Sequence, residues 1–184
     1  EFRRVLFRST EGKSLLNPYY RKDYRDAKAH GYKVGSYHFF TTITPAAEQA
    51  RHFLKHSIIR KGDFPAVLDV EPLPSQIKKM GGAGVLFARI RTRLRIVERA
   101  TGVKPILYIS QTFVNRYLPK APDLKHNYQV WIARYGEYKP DIRLVYWQLC
   151  PDGRVAGIHG EVDINVFNGY DDAFQSFVKS KTVK

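Results

Sequence analysis

Phe64-Pro65-Ala66-Val67-Leu68-Asp69-Val70-Glu71-Pro72 is a short apolar run that ends in two carboxylates one residue apart. A strand alternates its side chains, so Asp69 and Glu71 project from one face while Leu68 and Val70 point the other way. Two acids on one surface raise each other's pKa, because ionising the second costs Coulomb energy; one can then stay protonated as an acid while its neighbour is charged. A bare Asp-x-Glu is more often just an exposed strand end, here closed by Pro72. The surrounding sequence has to decide.

The chain of 184 residues is 43% hydrophobic and 14% aromatic, enough for one domain with a substantial core and too apolar for disorder. Lys and Arg number 31 against 17 Asp and Glu, a formal net charge of +14, so attraction to a polyanion is expected. Nucleic acid, an anionic membrane surface and an anionic cell-wall polymer all qualify. The basic residues are spread along the chain instead of gathered in one arm, which disfavours a dedicated nucleic-acid contact. Cys150 is the only cysteine, which excludes an intramolecular disulfide and a thiolate cluster and reads as a small apolar side chain. No apolar run approaches the roughly 20 residues needed to span a bilayer.

Outward from the central run, Val5-Leu6-Phe7 between arginines reads as a weak strand over residues 1–9, and a helix is expected over 17–29, stopped by Gly31. Residues 34–40, Val-Gly-Ser-Tyr-His-Phe-Phe, form a buried strand. Thr44-Pro45 opens the next helix, with Thr44 as N-cap and Ala46, Ala50, Phe53, Leu54 and Ile58 inward. A long loop is expected over 72–84, then a helix over 85–99 with Leu86, Ile90, Leu94 and Val97 inward. Its arginines Arg89, Arg91, Arg93, Arg95 and Arg99 would form a solvated face before Gly102 ends it. Residues 105–109, 129–133, 144–148 and 162–167 are four more short apolar strands bounded by turn residues. Seven strands with interleaved helices predict one α/β domain, a mostly parallel sheet closed into a barrel.

Chemistry in such barrels sits at the C-terminal strand ends. Glu11, Tyr37, His38, Asp69, Glu71, Tyr108, Trp131, Tyr135, Gln148 and Asp163 fall there repeatedly. Acids ringed by aromatic rings suit a sugar, whose apolar faces stack while its hydroxyl and acetamido groups take hydrogen bonds. Two residues on a strand span about 6.6 Å, between the separations of retaining and inverting carboxylate pairs, so spacing leaves the stereochemistry open.

In order, Ser-Thr-Glu-Gly at 9–12, Val-Gly-Ser-Tyr-His-Phe-Phe at 34–40, Pro-Ala-Val-Leu-Asp-Val-Glu at 65–71, Pro-Ile-Leu-Tyr-Ile-Ser at 105–110, Trp-Ile-Ala-Arg-Tyr at 131–135, Trp-Gln at 147–148 and Gly-Glu-Val-Asp-Ile-Asn at 160–165 resemble the glycoside hydrolase family 25 lysozymes. The resemblance runs over nearly the whole chain after Ser9. It implies an incomplete or distorted β/α (TIM-like) barrel and a muramidase cleaving the β-1,4 bond between N-acetylmuramic acid and N-acetylglucosamine in peptidoglycan. Glu71 would be the general acid, Asp69 would orient the substrate acetamide, and Asp163 would be a further active-site acid. Glu11, Tyr37, His38, Tyr108, Trp131, Tyr135 and Gln148 would line the sugar cleft. It also implies no cofactor and no metal, peptidoglycan glycan strands and an anionic cell-wall surface as partners, a monomer, and a secreted, periplasmic or wall-associated location.

Family members begin with a strand carrying Gly-Ile-Asp-Val-Ser or similar, and nothing like it precedes Thr10. Residues 1–8 are therefore set apart as a remnant or non-native N-terminus and 9–184 as the family-25-like domain. A truncated, weak or inactive peptidoglycan-binding domain is the alternative function. A chitinase-like hydrolase would need more Asp upstream of Asp69, where Phe64 and Val67 stand, and a nucleic-acid-binding protein has only charge in its favour. His52 and His56, four apart on a helix, and His38 read as structural hydrogen-bonding residues.

Overall fold

The computed structural model describes residues 4–133, 144–156, 158–170 and 172–176. Among them, eight strands form one open sheet: β1 (Arg4–Glu11), β2 (Leu15–Leu16), β3 (Lys33–Phe39), β4 (Val67–Val70), β5 (Ile106–Ser110), β6 (Gln129–Ala133), β7 (Leu144–Gly153) and β8 (Val162–Phe167). Their order is β2-β1-β3-β4-β5-β6-β7-β8. Pairing is parallel from β1 through β7, with β2 antiparallel to β1 and β8 antiparallel to β7. The seven expected strands are all present, and the short β2 is the addition. Residues 4–8 supply most of β1.

The sheet buries both faces, so its strands read as near-continuous apolar runs. One face packs on helices: Leu68 and Val70 of β4, Leu107 and Ile109 of β5, and Val130 and Ile132 of β6 join the main core. The other face turns inward, where Val67, Ile106, Phe64 and Phe174 are buried with Leu6, Tyr37, Tyr108, Trp131, Tyr146 and Phe167 against them. Residues from β1, next to the edge strand β2, and from β8 at the opposite edge meet in this second cluster; the sheet is curled like a barrel although its edges do not pair among the described residues. Gly35 of β3 lets Leu6 and Phe64 approach closely, since a Cβ there would lie 3.0 Å from Leu6 Cγ and 3.1 Å from Phe64 Cβ.

The helices are α1 (Tyr20–Ala29), α2 (Ala46–His56), α3 (Pro74–Lys79), α4 (Ala83–Thr101), α5 (Gln111–Arg116) and α6 (Pro122–Asn127), with a 3-10 turn at Leu118–Lys120. Three expectations change. Pro45, not Thr44, is the N-cap of α2, and no side chain caps it. Thr44 is drawn instead toward Gln49, whose Nε2 donates to its carbonyl at 2.9 Å. The loop expected over 72–84 contains α3, entered through Pro74 and held by Gln76 Oε1 accepting the Leu73 N–H at 2.8 Å.

The third change concerns α4. Leu86, Ile90, Leu94 and Val97 are fully buried as the periodicity requires, each worth about 1.5–3 kcal/mol, and Gly102 closes the helix in the left-handed region at φ 70°. Arg93, however, is 0% exposed instead of solvated. Position 93 follows Ile90 by three residues and precedes Val97 by four, so it falls on the inward stripe. Its guanidinium lies 4.5 Å from the centre of the Phe53 ring of α2.

Candidate active site

The site gathers where the parallel strands end, and alternation selects its members. On β3, Val34, Ser36 and His38 are buried toward the helices, leaving Tyr37 on the inward face. On β4 the same rule turns Asp69 inward, in register with Phe39 of β3 and Tyr108 of β5. Trp131 of β6 is paired with Tyr108, their rings 5.4 Å apart and perpendicular. Tyr146 continues the aromatic wall, 5.4 Å from Trp131.

Asp69 is 8% exposed while Glu71, just past the end of β4, is exposed. Burial drives the Asp69 carboxyl far above the ordinary carboxylate range, reinforced by the charge of Glu71 and by a hydrogen bond between the two side chains. Arg8 pulls the other way, and Asp163 adds a smaller push upward. The pair therefore favours keeping a proton, with Asp69 the member that burial pushes upward. Its Oδ1 is buried without a hydrogen-bond partner among the described residues. Burial also raises the Tyr37 phenol, with Asp69 adding to the effect and Arg8 opposing it.

Asp163 reaches the site by a different route from the one expected. It lies near the start of β8, not at a strand end, and the antiparallel turn of β8 brings it alongside the C-terminal half of β7. Its carboxyl is raised by burial and accepts from Gln148 Nε2 at 2.6 Å. The Gln148 side chain is buried and accepts from the Tyr108 hydroxyl at 2.5 Å. Beside this chain, Trp131 Nε1 donates to Asn165 Oδ1 at 2.9 Å, and Asn165 Nδ2 donates to the Asp163 carbonyl at 3.3 Å.

Glu11 faces the site at the end of β1, 3.5 Å from Arg8. Residues three apart cannot share a face of a regular strand; the irregularity between Arg8 and Thr10 turns both the same way. His38 is not brought to the site. It is fully buried on the helix side, with Nδ1 2.8 Å from Thr10 Oγ1 and Nε2 3.1 Å from Gln49 Oε1. Burial lowers its pKa to about 3, with Arg93 contributing, so it is a neutral hydrogen-bonding group. Tyr135 lies outside the described residues.

Two members were not singled out from sequence. Arg8 is a cation whose charge acts on Asp69, and its signal was present: it alternates with Leu6, opposite Val5 and Phe7, which pack on α1. Asn165 shares the parity of Asp163 and was readable the same way. No three His, Cys, Asp or Glu side chains among the described residues are grouped as a metal-ligand set. A cavity of about 280 Å³ lined by Val5, Phe7, Ala27 and Tyr32 lies between β1 and α1, on the far side of β1 from the acids.

A curled α/β sheet with paired carboxylates and an aromatic wall at its strand ends defines the class. The model of glycosyl hydrolases family 25 matches residues 2–158, and the chain belongs to that family. It is 37% identical over 177 residues to the protein YegX of Escherichia coli (strain K12), an alignment covering 95% of this chain and 62% of YegX. It is 29% identical to the autolytic lysozyme of Clostridium acetobutylicum, covering 89% of this chain and 48% of that one. The family 25 glycosyl hydrolase from Bacillus anthracis superposes with a TM-score of 0.82 at 25% identity, over 95% of this chain and 82% of that one. The chain thus spans less than two thirds of the length of YegX and about half that of the autolytic lysozyme.

Proposed function

We propose that this domain is a muramidase that hydrolyses the β-1,4 bond between N-acetylmuramic acid and N-acetylglucosamine in peptidoglycan. One observation carries the reading: a buried Asp69 carboxyl placed beside the exposed Glu71 at the end of a parallel strand, its pKa raised by that burial and by the charge of Glu71. Family membership and the lysozyme relative support the substrate class. The aromatic wall of Tyr37, Tyr108 and Trp131 supports a sugar ligand.

In the mechanism that follows, Glu71 is the general acid. Its proton passes to the glycosidic oxygen as the bond from C1 of the muramic sugar to that oxygen breaks, and the acetamide oxygen of the same sugar closes on C1. Asp69 receives the acetamide N–H and stabilises the positive charge that develops on the ring so formed. Water then attacks C1, giving its proton to the Glu71 carboxylate, and the acetamide is released. Before the first step the proton of the Asp69–Glu71 pair passes to Glu71, leaving Asp69 as the carboxylate that faces the acetamide, and the proton from water restores the pair at the end. Asp163 supplies negative charge near the sugar carbon.

Glu71→Gln tests this directly. The variant is expected to fold, to bind cell walls, and to release reducing ends from peptidoglycan at least about 100-fold more slowly. Unchanged turnover would remove Glu71 from the acid role, and wall binding without turnover by the parent chain would favour a binding domain.

A further inference from the structure

We propose that Gln148 is a positioning residue that aims and ionises Asp163 and orients Tyr108, instead of contacting sugar itself; this rests on the muramidase reading of the site. The side chain is 3% exposed and both ends of its amide are taken by the protein. The NH2 of the amide faces Asp163 Oδ1 at 2.6 Å and donates to it, a bond that an ionised carboxylate accepts best. The carbonyl then faces Tyr108, whose hydroxyl at 2.5 Å has to donate. The amide therefore fixes a direction: Tyr108 donates to Gln148, and Gln148 donates to Asp163.

The same chain reaches from β5 across β6 to β7 and β8. Asp163 keeps an exposed side chain, and what burial it has pushes its pKa upward. A donor on its oxygen is what favours the ionised form in that setting. The donor also restrains a side chain on an edge strand, β8, which among the described residues pairs with β7. Gln148 occupies the non-edge strand and is held by its own burial, so the buried partner sets the position of the exposed one.

Two variants separate this role from sugar contact. Gln148→Leu removes the donor at similar volume. Asp163 is expected to titrate about one to two units higher, read by NMR of 13C-labelled aspartate carboxyls, because a charge-assisted hydrogen bond of that kind is lost. On peptidoglycan kcat should fall about 10- to 100-fold with KM little changed, and the acid limb of the pH profile should move up with the Asp163 titration.

Gln148→Glu is the near-isosteric control. A neutral carboxyl donates once and accepts once, as the amide does, so at low pH this variant should approach parent activity. As pH rises, ionisation of the introduced carboxyl places two charges together, and activity should decline where the parent's does not. Loss confined to KM, with both the Asp163 titration and the pH profile unmoved, would assign Gln148 to sugar binding and overturn the proposal. If the parent chain itself turns over no peptidoglycan, the muramidase reading fails, and the Asp163 titration alone then upholds or overturns the positioning role.

Discussion

Asp69→Asn is expected to stabilise the fold at neutral pH while removing activity. The buried Asp69 carboxyl faces the Glu71 carboxylate, and its folded pKa is raised by burial and by that charge. With a folded pKa above 7 against an unfolded value of about 3.9, retaining a proton costs at most about 4 kcal/mol of stability at pH 7. The amide gives part of this back through its own burial and through the lost attraction to Arg8. A net gain of about 1–2 kcal/mol remains for the amide, equivalent to about 2–8 °C in melting temperature for a chain of this size. The sign follows from proton counting. Above pH 4 the unfolded Asp69 releases a proton that the folded one keeps, so parental stability falls as pH rises from about 4 through the folded pKa. The advantage of Asp69→Asn should therefore be present at pH 7 and vanish near pH 4. Urea unfolding at both pH values, followed by fluorescence of the two tryptophans, measures it. Glu71→Gln should gain similarly at pH 7, and the double variant should gain less than the sum, because one repulsion is removed twice. A destabilised Asp69→Asn at pH 7, or a difference that does not change between pH 4 and 7, would refute this reasoning.

Two further outcomes test the helix side of the sheet. Arg93 is fully buried with none of its guanidinium nitrogens hydrogen-bonded, and burial lowers its pKa to about 9. Arg93→Met should raise the urea midpoint by an amount equivalent to about 1–3 kcal/mol, with the ring contact to Phe53 as the opposing loss; a lowered midpoint would mean that the guanidinium has found a partner. His38, neutral in the fold with a pKa of about 3, takes up a proton on unfolding below about pH 6.5, so parental stability should fall as pH drops from 6.5 toward 3. His38→Gln should cost about 1–3 kcal/mol at pH 7 and flatten that dependence, as measured by urea unfolding from pH 4 to 7.

Period-2 and period-3.6 patterning carried most of the architecture. The run of residues 129–133 is β6 and that of 162–167 is β8, with bounds as expected, because short apolar segments between turn residues leave the backbone few options. Thr44 does not cap α2 and α3 forms within 72–84 because competing local hydrogen bonds decide both: Gln49 takes the Thr44 carbonyl, and Gln76 reaches back to the Leu73 N–H. Arg93 was assigned to solvent by residue type although its position already lay on the apolar stripe. His38 sits beside Tyr37 in one motif, yet alternation sends it to the opposite face.

From the amino-acid order alone came the α/β class, the strand set, the pairing of Asp69 with Glu71 on one face, and the resemblance to family 25. These are local: they follow from side-chain alternation and from contiguous motifs. Only the tertiary structure decided which charges meet those acids. Arg8 comes from β1, and an irregularity after it, which strict alternation forbids, turns Glu11 to the same face. Asp163 arrives on β8, whose antiparallel direction places the start of a strand where the others end. Gln148 faces it with a donor. The protonation of Asp69 depends on burial and on charges brought together by sheet curvature, and the interaction of groups far apart in sequence has no local signature.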